Sequence, residues 1–136
     1  MKRRTAKLVI RRSKQWVTEC LRVYILNAGP DDREQSLTTL SRALTSLIAA
    51  HLELDQPPIA KKWWIDEVEW TQISCHDMEV NGTGRIWWGY RDQPAGEIIS
   101  TSFEGRMELL KTGRALRYSF VFEHENTKFR ICSATD

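Results

Sequence analysis

From Ser13 onward the apolar residues Trp16, Val17, Cys20, Leu21, Tyr24 and Ile25 return every three or four positions, and Ala28-Gly29-Pro30 ends the pattern. That spacing predicts a helix with a stop. Asp31 and Asp32 offer an N-cap with favourable charge, after which Leu37, Leu40, Leu44, Leu47, Ile48 and His51 form one stripe that runs to Gln56-Pro57-Pro58. A second helix is predicted, and the short link makes the pair an antiparallel hairpin. Upstream, AKLVIRR alternates and reads as a short strand.

Beyond Pro58 the period becomes two. Strands are predicted over 62–79, 84–91, 97–111, 114–124 and 127–133, parted by the turn-forming groups NGT, DQPAG, TG and EN. A turn at Thr112-Gly113 sets Leu109 opposite Leu116, Met107 opposite Tyr118 and Glu108 opposite Arg117. A turn at Glu125-Asn126 sets Phe122 beside Phe129 and Glu123 beside Lys128. A turn at Asn81-Gly82-Thr83 sets Ile86 against Met78, Trp88 against His76 and Arg85 against Glu79. Apolar meets apolar and charge meets opposite charge in all three. The expected fold is α+β and two-layered: an N-terminal helix hairpin packed on one face of a curved five-stranded antiparallel meander sheet.

Neighbouring residues on a strand point to opposite faces, so the doublet Trp87-Trp88 is divided between them. Trp88 joins the apolar face with Trp70, Phe103, Tyr118 and Phe122 and belongs to the core. Trp87 then lies outside with Arg85, Arg91, Arg106 and Arg117, and the same parity puts Trp63, Ile65 and Ile73 there unless a bulge in the long first strand turns part of it. Two helices cover one face only. Trp and Arg are favoured anchors of protein interfaces, so Trp87, Arg85, Arg91, Trp63, Arg106 and Arg117 are the candidate partner-binding residues. The partner is another protein or a second copy of the chain in a homodimer, and an inhibitor, immunity-type or adaptor role suits such a module.

Charge adds a second candidate. Of 20 Lys and Arg, seven lie in the first fourteen residues (Lys2, Arg3, Arg4, Lys7, Arg11, Arg12 and Lys14) with no acid among them, leaving 13 bases against 18 acids in the remainder. This divides the chain into a basic arm, 1–14, and a single α+β domain, 15–136. The arm could hold nucleic-acid phosphates by releasing counterions, whereas the mixed charges of the outer sheet face supply no positive field for them.

No apolar run approaches the roughly 20 residues of a membrane span, and the start lacks the apolar stretch of a secretory signal. No membrane partner is expected. Cys20, Cys75 and Cys132 are odd in number and without C-x-x-C spacing, which points to reduced thiols in the cytoplasm.

Candidate chemistry is sparse. His51, His76 and His124 have no ligand spacing, so neither a metal nor another cofactor is expected. NGTGR and KTGR read as hairpin tips, and Cys75 and Cys132 as outer-face residues without a histidine partner; the chain reads as a non-enzyme. In the order of its elements alone, the chain resembles the cone of nuclear transport factor two-like proteins. That resemblance implies a ligand cavity or active site between the second helix and the sheet, lined by Tyr24, His51, Trp70, His76, Trp88, Tyr118 and His124.

Overall fold

The computed structural model describes residues 3–26, 30–55, 63–90, 92, 96–110 and 115–133. Two helices, α1 (Arg3–Leu26) and α2 (Pro30–Asp55), precede five strands: β1 (Trp63–His76), β2 (Glu79–Tyr90), β3 (Ile99–Leu110), β4 (Ala115–His124) and β5 (Thr127–Cys132). The strands form one antiparallel sheet in the order β1-β2-β3-β4-β5, and the helix pair packs on one of its faces. This is the two-layer α+β arrangement that the two periods predict.

Helix α1 begins ten residues earlier than the apolar stripe suggests. Ala6 and Ser13 continue its buried face, and the Ser13 hydroxyl lies 2.8 Å from that of Ser46 on α2. Small side chains at the helix contact carry little hydrophobic signal, so the first turns are hidden from a periodicity count. Residues 6–12 are therefore helical and not a strand, and residues 3–14 are the opening turns of α1. The layers are tied together by Thr45 of α2, whose hydroxyl donates to the Ser41 carbonyl and accepts from the Val68 amide of β1.

The registers of β3–β4 and β4–β5 are those expected: Phe103 faces Phe122, Met107 faces Tyr118, Glu108 faces Arg117, Phe122 faces Phe129 and Glu123 faces Lys128. Glu125 and Asn126 both take positive φ, 51° and 64°, as a two-residue hairpin of matching twist requires. The expected tip at Thr112-Gly113 lies outside the described residues.

The first hairpin differs. It turns at Asp77-Met78, with His76 opposite Glu79 and Asp77 at φ 53°, and Asn81-Gly82-Thr83 sits inside β2. Gly84 of β2 and Gly105 of β3 serve packing, not turning. A Cβ on Gly84 would lie 2.5 Å from Cζ of Phe103, and one on Gly105 would lie 2.7 Å from both Phe120 and Trp70. The bare backbone thus clears a trough in the inner face for three aromatic rings. As a result Met78 is exposed, Val80 is buried in its place, and His76 stands at the far end of β1 from Trp88.

Two irregularities in β1, between Ile65 and Glu67 and between Trp70 and Gln72, change which side chains face inward. Each adds an unpaired residue and reverses the parity beyond it. Trp63 is consequently buried, and Ile65, Ile73 and Cys75 pack against the core instead of standing outside. The core itself unites Leu21, Leu40, Leu44, Leu47 and Ile48 of the helices with Trp63, Trp70, Trp88, Phe103, Tyr118, Phe120 and Phe122 of the sheet.

Candidate functional site

The site candidate is the sheet face turned away from the helices. Alternation along the strands puts Arg85 and Trp87 of β2, Glu104, Arg106 and Glu108 of β3, Arg117 and Ser119 of β4 and Arg130 of β5 on that face. Across its middle, β2, β3 and β4 are linked by a charged network. Arg106 Nε lies 2.9 Å from Glu79 Oε1 and its Nη2 3.3 Å from Glu108 Oε2; Glu108 Oε1 is 3.0 Å from Arg117 Nη2. Asn81 donates to Glu79 at 2.9 Å, and Arg85 donates to Ser100 at 2.9 Å. These groups are partly solvated, so each pair adds roughly 0–1 kcal/mol to stability. Their chief effect is to hold long side chains in fixed positions.

A groove of about 910 Å³ runs over this network, lined among others by Asn81, Thr83, Glu104, Arg106, Arg117 and Arg130. Trp87 lies on the same face, half-buried, between Glu67 of β1 and Ser100 of β3. Of the residues predicted to bind a partner, Trp87, Arg85, Arg106 and Arg117 therefore share one face. Trp63 does not: the bulge turns it beneath the helices, where it stacks on Trp88. Arg91 lies outside the described residues. Arg130 also lines the groove, as period-two alternation in β5 implies, whereas Asn81 was obscured by its turn-like sequence.

Between α2 and the sheet, the residues named for an interior cavity are packed side chain to side chain. His51 Nε2 is 2.6 Å from the Tyr118 hydroxyl, Trp88 Nε1 donates to Thr101 at 2.8 Å, and Trp70 meets Phe103 and Phe120 edge to face. His76 takes no part in this interior; its side chain is 92% exposed beside Asp77. Among the described residues, no three His, Cys, Asp or Glu side chains converge as a metal site would require. Among the same residues, no helix is long and apolar enough to cross a membrane. Of the thiols, Cys20 is pushed above the ordinary range, first by burial and then by the Glu19 carboxylate.

The basic residues Arg4, Lys7, Arg11, Arg12 and Lys14 lie along α1, with Arg3 at its first position and Lys2 outside the described residues. They are on the opposite layer from the groove of the sheet. Compared with protein-family models, curated proteins and solved structures, the chain matches none.

Proposed function

We propose that the protein is a small binding module whose open sheet face receives a second polypeptide, and that the polypeptide is another copy of the same chain. The observation that carries this reading is the arrangement of layers: both helices cover one face, leaving the other with a fixed array of paired charges and a half-buried Trp87. Five strands at about 4.8 Å spacing and about ten residues at about 3.3 Å each give a face of roughly 24 by 33 Å, on the order of 800 Å². That is about what each partner contributes to an interface of standard size.

Charge balance favours self-association. Glu67, Glu69, Glu79, Glu104, Glu108 and Glu123 are offset on this face by Arg85, Arg106, Arg117, Lys128 and Arg130. Such a surface meets its own copy about a twofold axis without strong net repulsion, and both edges of the sheet are poorly suited to the alternative of strand addition. β1 is broken by two bulges, and β5 carries Lys128 and Arg130. The reduced thiols fit a cytoplasmic setting.

Placement of the interface is tested by crosslinking. In a background of Cys75→Ser and Cys132→Ser, a thiol introduced by Ser119→Cys at the centre of the face is expected to give a covalent dimer with a short bis-maleimide. Arg12→Cys on the exposed side of α1 is expected to give none. Equal yields from the two positions, or dimer from Arg12→Cys alone, would place the interface elsewhere.

A further inference from the structure

The structure carries a second, separate surface with an excess of positive charge: Lys7, Arg11, Lys14 and Arg22 line it against one acid among the described residues, Glu19, which pairs with Arg22. Lys7, Arg11 and Lys14 are spaced four and three apart on α1, so they share one flank of the helix. That flank forms a groove of about 680 Å³ with the β3–β4 hairpin, whose Leu110 and Leu116 line the opposite side. Arg106 and Arg117 on the sheet face are paired with glutamates, but Lys7 and Arg11 make no ion pair among the described residues, and Lys14 Nζ lies 5.8 Å over the Tyr118 ring.

The placement runs against helix stability in two ways. Like charges three and four residues apart repel along the helix. There is also no acidic residue in the first turn, where the positive end of the helix dipole favours one, and Arg3 and Arg4 stand there instead. A local rule broken twice is expected where an external anion completes the arrangement.

We infer that this groove binds a nucleic-acid strand through its phosphates. At about 1.5 Å per residue, Lys7 to Lys14 spans about 10.5 Å, a length over which one helical strand, rising about 3.4 Å per nucleotide, brings several phosphates. An extended acidic peptide carries a charge on one face only where every second residue is Asp or Glu, whereas every nucleotide carries a phosphate. An anionic lipid surface fits less well still. The exposed Trp16 that would insert into it lies nine positions from Lys7, two and a half turns and thus on the far side of the helix, so no plane meets both. Among the described residues no aromatic side chain lines the groove, which makes the contact one of backbone charge and not of base identity.

The test is fluorescence anisotropy of the full chain with a labelled oligouridine of about 12 nucleotides, at salt between about 50 and 200 mM. With three phosphates neutralised, affinity is expected to fall about tenfold to twentyfold across that range. The triple variant Lys7→Gln/Arg11→Gln/Lys14→Gln, with its helical content verified by circular dichroism, is expected to lose at least about tenfold at the lower salt. Arg106→Gln/Arg117→Gln on the sheet face is expected to bind normally, which separates this site from the one proposed above. The inference is overturned by absence of binding at about 50 mM salt, by unchanged affinity of the triple variant, or by a glutamate peptide of equal charge that binds as well as the strand.

Discussion

The indole of Trp63 stacks on that of Trp88 with centroids 3.7 Å apart and planes 17° from parallel, and His124 stands edge-on to both. One unpaired residue near Asp66 makes this possible, because it reverses the parity of everything before it in β1. Trp64, on the other side of the strand, leans over Gly89 instead. The two tryptophan doublets are therefore used alike: Trp63 and Trp88 go inward, Trp64 and Trp87 outward.

This division predicts unequal costs of truncation. Trp63→Ala removes a fully buried indole and its stacking on Trp88, and is expected to destabilise the fold by about 3–5 kcal/mol. Trp87→Ala is expected to cost about 1 kcal/mol or less, since the ring is half-buried on the sheet face. Urea unfolding of the two variants, at a concentration low enough to favour monomer, measures the difference; equal costs would mean that β1 lacks the bulge.

The trough in the inner face predicts a sensitive glycine. Gly84→Ala forces a methyl group against the Phe103 ring, held by core packing, and the Glu69 carbonyl, held in the β1–β2 pairing. A loss of about 1–3 kcal/mol is expected from the resulting displacement, whereas a turn glycine at ordinary φ would tolerate alanine. Thermal unfolding of this variant distinguishes a strand position from a turn.

Much of the fold was legible because its signals are local and agree with each other. Pairs such as Phe103 with Phe122 and Glu108 with Arg117 satisfy the face pattern, the charge pattern and a two-residue turn together. The first hairpin was misread because Asn81-Gly82 has the chemistry of a turn, while the need for glycine at 84 comes from Phe103, nineteen positions along the chain. Trp63 was misplaced for a similar reason, since a bulge has no fixed residue signature. The basic residues were visible in sequence, but their alignment on a helix flank depends on Ala6 and Ser13 packing against α2.

The thiols predict a pH dependence. Burial holds Cys20 protonated in the folded state beyond its usual value of 9.0. The folded state then binds the proton more tightly than the unfolded one, so this contribution is fully present below that pH and is lost as pH rises through the folded value. Stability is expected to fall more steeply with rising alkalinity in the wild type than in Cys20→Ala, read as the slope of the unfolding midpoint against pH. In parallel, Cys75 and Cys132, both partly exposed, are expected to react with a thiol reagent well before Cys20.

The cations of α1 predict a stability gain on their removal. Lys7→Gln/Arg11→Gln/Lys14→Gln relieves four like-charge pairs at helical spacing, Lys7 with Arg3, Arg4 and Arg11, and Arg11 with Lys14, worth about 0.8–2 kcal/mol together. A higher melting temperature at low salt, shrinking as salt is added, is the expected result. A lower one would show that these side chains support the fold through contacts with the β3–β4 hairpin.

The central claim is that the sheet face meets a second copy, and the solution mass tests it most directly. Light scattering on the purified wild-type chain at tens of micromolar is expected to give twice the 15.9 kDa of one chain, with Trp87→Ala shifted toward the single mass. A wild-type mass that stays at one chain throughout, or a dimer that Trp87→Ala leaves unchanged, would contradict the account.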